Sequence, residues 1–224
     1  MNTLKAGATY VESGSTEHGI RYVEVAIPAI GKGEDVKIRI IPNNLVKEVL
    51  DSCTKGANLL IAGRLYMNRA VQGDWNYYLI PTKKIQLLSS PVQLNDVTIA
   101  GGYWLSDNDI KANNSEERHN FSLLTSAPIQ QLLGHDRDTS IKFSITAWKY
   151  DAARILQTAY KGRQMLVEGY LRSYNGYVSV TVNSGLVEMF GSKEKKKDDN
   201  NVKPANAAKV VIQGETKEEI EIPM

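Results

Sequence analysis

An all-β fold, built as two tandem five-stranded barrels with one short helix each and followed by a disordered C-terminal tail, is predicted by three observations. First, KGANLLIAGRL at 55–65 returns as KGRQMLVEGYL at 161–171, an offset of 106, and VKIRI at 36–40 returns as IKFSI at 141–145, an offset of 105. Two matches in the same order at nearly the same offset indicate a duplicated unit, divided near Pro91. Second, segments of alternating apolar and polar residues, rich in β-branched and aromatic types, recur through both copies. Third, residues 192–224 carry no aromatic side chain and begin with the polar run KEKKKDDNN, a composition that cannot bury a core. The expected division is a first domain over 1–90, a second over 91–191 and a tail over 192–224.

The elements follow from the pattern. Strands are expected near 3–12, 20–27, 36–41, 58–67 and 75–86 in the first copy, and at 94–105, 118–125, 140–148, 164–173 and 177–183 in the second. Each copy places a helix between its third and fourth strands. In the second, Asp151 is the expected N-cap, with Ala152, Ile155, Leu156 and Ala159 at i, i+3, i+4 and i+7 and Gly162 supplying a left-handed close. In the first, the helix starts after Asn43 or Asn44 and buries Leu45, Val46, Val49 and Leu50. Three strands, a helix and two strands is the element order of the OB-fold, a five-stranded Greek-key barrel.

Composition narrows the function. The 224 residues carry 27 Lys and Arg against 25 Asp and Glu, a net charge of +2, which excludes a histone-like polycation but leaves open a binder with segregated charge. A single cysteine, Cys53, excludes an internal disulfide or a cysteine metal cluster and reads as a small packed side chain. No signal-peptide pattern and no long apolar run is visible, so the expected location is cytoplasmic, with no membrane partner. No catalytic set, cofactor or metal site is expected. His18, His119 and His135 are far apart in sequence, and the Gly14–Gly19 spacing is followed by Ile20 and Arg21 rather than Lys and Ser or Thr. Asp107 and Asp109 lack the glycine and closing glutamate of a calcium loop, and Asp136 and Asp138 read as loop residues.

The strand faces carry the functional signal. Ile141, Phe143, Ile145 and Ala147 share one face, which should fill a barrel, while Lys142, Ser144, Thr146 and Trp148 share the other. Tyr170, Arg172 and Tyr174 point outward on the next strand, and Tyr177, Ser179 and Thr181 on the last. Aromatic rings interleaved with Lys and Arg suit a single-stranded nucleic acid, whose bases offer π-faces and whose backbone offers phosphates. Outward aromatics also raise β propensity and build protein–protein interfaces, so an assembly or adaptor module remains the alternative. The first copy keeps basic groups, with Lys37, Arg39, Arg64 and Tyr66 outward, but its aromatics have moved, with Trp75, Tyr77 and Tyr78 on the fifth strand or the hairpin before it.

The second copy resembles the bacterial single-stranded DNA-binding protein family. LNDVTIAGGYW at 94–104 is similar to the family's first strand and HNFSLLT at 119–125 to its second. The stretch from Ile141 to Leu156, then Tyr160, Lys161, Gly162 and MLVEGYLRS at 165–173, is similar to the family's strand, helix, turn and E-G-x-L-R strand, here Glu168, Gly169, Leu171 and Arg172. The resemblance implies base stacking by Trp148 and Tyr174. The last residues, Glu218, Glu219, Ile220, Glu221, Ile222, Pro223 and Met224, resemble the family's acidic tip, with methionine where the family ends in phenylalanine. It implies a tip that docks replication, recombination and repair proteins. Two barrels per chain match the minority of the family that works as homodimers with four OB-folds. The charge layout agrees: 192–224 sums to zero, with seven Lys against seven acids, and its last ten residues hold four acids and one Lys.

Overall fold

The predicted rhythm of strands and helices appears in the computed structural model, which describes residues 2–16, 18–69, 75–105, 114–126 and 140–191. In chain order these are β1 (Asn2–Ser15), β2 (Arg21–Ile27), β3 (Val36–Ile40), α1 (Lys47–Ser52), β4 (Asn58–Arg69), β5 (Trp75–Pro81) and β6 (Gln86–Leu88). They are followed by β7 (Asn95–Trp104), β8 (Arg118–Ser126), β9 (Ser140–Trp148), α2 (Lys149–Thr158), β10 (Gln164–Tyr174) and β11 (Tyr177–Met189). Met1–Ser192 form one compact unit. The tail, including Lys193–Lys197 and the tip from Glu218 to Met224, lies outside the described residues, as do His135, Asp107, Asp109, Asp136 and Asp138.

Pairing closes two rings. β1 pairs with β2 and β4, β2 with β3, β3 with β5, and β5 with β4. β7 pairs with β8 and β10, β8 with β9, β9 with β11, and β11 with β10. In each ring the third and fifth strands run parallel and every other pair antiparallel, the OB arrangement. Val25, Ile38, Ile61, Leu65 and Leu79 are fully enclosed in the first ring, and Ile99, Phe121, Phe143, Val167 and Leu171 in the second. Each such side chain stabilises the fold by about 1.5–3 kcal/mol relative to exposure.

The duplicated Gly63 and Gly169 explain why the repeat motif contains a glycine. A Cβ on Gly63 would lie 2.3 Å from the Ile80 carbonyl oxygen, and one on Gly169 2.0 Å from that of Thr181. Here the fourth strand of each ring bends so tightly against the fifth that only a hydrogen fits.

Several local expectations are corrected. Trp148, not Asp151, caps α2. Lys149 takes a left-handed φ of 49° and turns β9 into the helix in one residue, which places Asp151 inside the first turn. Its Oδ2 there accepts the Gly185 N–H at 2.8 Å and ties the helix to β11. Leu156 and Leu45 are exposed rather than buried, because the core contact of each helix is made by Ala152 and Ile155, and by Val46 and Leu50. Gly162 is left-handed at φ 86°, but it lies in the following turn, and Ala159 caps the helix. The expected 75–86 strand is divided, since Pro81 has no N–H to continue the ladder, and β6 resumes against Asn58–Leu60. β11 instead runs on to Met189, and its second half pairs with Met165–Val167.

The two rings are joined by an antiparallel ladder between Asn2–Ala6 of β1 and Asn95–Ile99 of β7. A second junction lies between the 28–35 segment and the β10–β11 hairpin. The Glu34 N–H donates to the Ser173 carbonyl at 3.1 Å, and Arg172 Nη2 donates to the Lys32 carbonyl at 2.9 Å. Glu34 Oε2 accepts both the Ser173 hydroxyl and the Gly176 N–H at 3.3 Å. Tyr77 adds a bond from its hydroxyl to the Val178 carbonyl at 2.9 Å, and full burial pushes its phenol well above the usual range, which keeps it a donor.

Two outcomes are expected. Gly169→Ala should cost at least about 3 kcal/mol in urea unfolding, whereas Gly102→Ala, whose Cβ meets nothing nearer than 3.5 Å, should cost under about 1 kcal/mol. Equal losses would mean that the close approach at Thr181 does not constrain the strand. Glu34→Ala should speed hydrogen exchange at the Gly176 amide about fivefold, the equivalent of about 1 kcal/mol, with the midpoint of global unfolding nearly unchanged. Unaltered exchange would mean that the hairpin holds itself.

Candidate nucleic-acid interface

The outer face of the second ring is built from alternate residues of four neighbouring strands. Cross-strand pairing sets Arg118 opposite Trp148, Asn120 opposite Thr146, Ser122 opposite Ser144 and Leu124 opposite Lys142. Thr146 pairs onward with Thr181, and Thr181 with Tyr170. One polar row therefore crosses β8, β9, β11 and β10. It is internally bonded, the Thr146 hydroxyl donating to Asn120 Oδ1 at 3.0 Å and Arg118 Nη2 to the same oxygen at 3.3 Å.

Trp148 stands at one end of this face and is 42% exposed. The Arg118 guanidinium carbon lies 5.3 Å from its ring centroid, a cation–π contact that holds the indole while leaving much of it open. Behind it the face rests on a stack in which the His119 and Phe121 rings lie 5.3 Å apart. Tyr103 completes the stack, its hydroxyl within 3.0 Å of His119 Nε2.

Tyr174 and Tyr177 sit at the opposite end, paired across the β10–β11 hairpin and 62% and 78% exposed. Asn175 and Gly176 form its two-residue turn with φ of 51° and 75°, the left-handed pair that a tight hairpin demands. Thr181 is level with Thr146, so Trp148 and Tyr177 lie six residues apart along parallel strands, about 20 Å at the usual rise. The fold thus places Trp148, Tyr170, Tyr174 and Tyr177 on one ring, and of these it pairs Tyr174 with Tyr177. Arg172 is half-buried, with one Nη bonded to the Lys32 carbonyl.

The first ring's outer face differs in kind. Glu24 is only 8% exposed and holds Lys37 Nζ and Arg39 Nε, each at 3.5 Å. Arg39 also lies 4.5 Å over the Tyr22 ring. Burial alone would lower its basicity, but the Tyr78 hydrogen bond and the Tyr22, Tyr78 and Glu24 charges hold it above the usual value. Tyr66 occupies the outward register beside Tyr78 but is buried. Arg64 is exposed. Trp75 opens β5, and its side chain lies outside the described residues.

Three residues beyond those singled out in the sequence belong to this surface. Arg118 precedes the apolar run of β8, and extending the alternation by one residue would have put it opposite Trp148. Trp104 ends β7 in the outward register, where Lys142 Nζ lies 5.0 Å and Lys161 Nζ 3.9 Å from its ring centroid. Among the described residues no group of three or more His, Cys, Asp or Glu is placed to hold a metal ion, and no described helix is long and apolar enough to cross a membrane.

No protein-family model and no curated protein matches the chain. Solved structures do. The wild-type single-stranded DNA binding protein from Thermus aquaticus is matched at a TM-score of 0.57 and 14% identity, over 93% of this chain and 97% of that one. A deletion mutant of the same protein is matched at 0.57 and 14%, over 88% and 98%. At that identity the likeness speaks for the fold, and it agrees with the strand pairing: this chain is an all-β protein with two OB-folds in tandem.

Proposed function

We propose that this protein binds single-stranded DNA without sequence preference and without catalysing a reaction, using the outer face of the second ring. The observation that carries the reading is the exposed Trp148 held by Arg118 at one end of a polar face that has Tyr170 in the neighbouring row and Tyr174 and Tyr177 at the far end. Trp148 and Tyr174 stack bases, and Tyr170 and Tyr177 support them. Lys142 and Arg172 neutralise phosphates; the bond from Arg172 to Lys32 leaves other guanidinium donors for this role. The Thermus aquaticus protein of the same fold, matched in two structures, is named for binding single-stranded DNA, which supports the same reading.

The rest of the proposal is arranged around that face. The 1–90 and 91–191 domains correspond to the two rings. Lys37, Arg39, Arg64, Tyr66 and Trp75 give the first domain a lesser share in binding, reduced by the hold of Glu24 on two of its cations. Two chains associate to present four OB-folds. The tip from Glu218 to Met224 recruits replication, recombination and repair proteins in the cytoplasm or nucleoid.

Titrating the full chain with oligo-dT should quench tryptophan fluorescence. Trp148→Ala should weaken binding about 5- to 150-fold, the range expected for one lost stacking partner at about 1–3 kcal/mol. The logarithm of affinity should fall with the logarithm of salt at a slope of about −0.7 per phosphate neutralised. No binding by the wild type, together with a stable oligomer on size exclusion, would favour a protein-binding role for the aromatic face.

A further inference from the structure

We propose a second base-and-phosphate subsite on the same face, formed by Trp104, Lys142 and Lys161. It rests on the reading that this face takes single-stranded DNA, and it adds Trp104 and Lys161 to that surface.

The subsite is built by three separate elements. Trp104 pairs with Ser122 of β8, and Ser122 with Ser144 of β9, so its ring lies in the outward row two strands from Ser144. Lys142 comes from β9, one row further on and opposite Leu124. Lys161 comes from the turn after α2, and that turn is fixed to β7 by two backbone bonds. The Tyr103 N–H donates to the Arg163 carbonyl at 2.7 Å, and the Gly162 N–H to the Tyr103 carbonyl at 2.8 Å. The position of Lys161 over the indole therefore follows from backbone geometry and not from a flexible side chain alone.

The electrostatics point to an anion. Both ammonium groups lie within 5.0 Å of one ring centroid. Neither has an ion-pair partner among the described residues. The indole attracts each cation through its π-face, but the two cations repel each other, and an anion bridging them removes that repulsion. A phosphodiester does so, and as the lysines turn from the ring to the phosphate they free the indole for the base it carries. Trp104 lies two rows along the face from Arg118 and Trp148, about 13 Å at the usual rise, a span of a few nucleotides. Between them, among the described residues, lie the exposed Ser144 and the buried polar side chains of Ser122, Asn120 and Thr146.

The experiment uses the full chain and oligo-dT. A variant with Trp104 as its sole tryptophan, made by Trp75→Phe and Trp148→Phe, should be quenched on titration. Lys161→Gln should reduce the salt slope by about 0.7, the value of one single-strand phosphate. Trp104→Ala should weaken binding about tenfold, and Trp104→Phe should restore most of the loss. If the wild type binds and Trp148→Ala weakens it, but the sole Trp104 is not quenched and Lys161→Gln leaves the slope unchanged, the subsite is overturned and the proposed function stands. If the wild type does not bind oligo-dT, both fall together. The quenching and the slope decide the matter even if Trp104→Ala fails to fold.

Discussion

The ladder between Asn2–Ala6 and Asn95–Ile99 is the constraint on which the arrangement of the two barrels depends. A first strand in a lone OB barrel is fully used along one half and leaves unpaired backbone groups along the other. Here β1 is long enough to divide its work. Thr9–Ser15 pairs with β2, while Asn2–Ala6 pairs with β7, and the opposite edge is occupied by β4. β7 does the same with Gly102–Trp104 against β8 and Asn95–Ile99 against β1. Each barrel thereby covers an edge that would otherwise be a site for unwanted pairing. The result is a continuous order of eleven strands rather than two beads on a linker. The hairpin carrying Tyr174 and Tyr177 inherits its position from this union, because the segment that grips it belongs to the other barrel.

One scaffold supports two unlike surfaces. On the first barrel a nearly buried carboxylate, Glu24, engages both outward cations of β3, and the aromatic rings beside them are covered. On the second barrel the cations Arg118, Lys142 and Lys161 lie over tryptophan rings and face solvent. A cation over an indole keeps most of its charge available to an anion, whereas one paired to a carboxylate does not. Duplication thus preserved the barrel while one copy turned its outer face toward internal pairing.

Much of this was legible in the sequence, for identifiable reasons. Period-two alternation in 141–148 and 165–171 separates the core from the outer face because both strands are half buried, so Phe143 and Val167 fall inside and Lys142 and Trp148 outside. The repeat pointed to Gly63 and Gly169, since a backbone clash leaves no other residue at that bend. What alternation does not contain is register between distant strands. It places Lys37 and Arg39 outward but says nothing of Glu24 across the ladder. Nor does it show that a turn at 160–163 is tied to the end of β7, which is what brings Lys161 to Trp104. Asp151 misled for a related reason. A left-handed Lys149 starts the helix earlier than any capping motif would suggest, and tertiary bonding to Gly185 then uses the carboxylate.

The junction has one more consequence. Leu4 pairs with Gly63 and Val97 with Gly169, so Leu4 and Val97 occupy equivalent places, and they also pair with each other. An approximate two-fold axis therefore passes between them, and it relates the barrels head to head. A polymer with distinct 5′ and 3′ ends has no such symmetry. A strand laid across both barrels would meet the second in the direction opposite to the first, so one mode of recognition cannot serve both equally. Divergence of the outer faces removes that conflict, and it gives the chain a sense of polarity that a symmetric pair of identical barrels would lack.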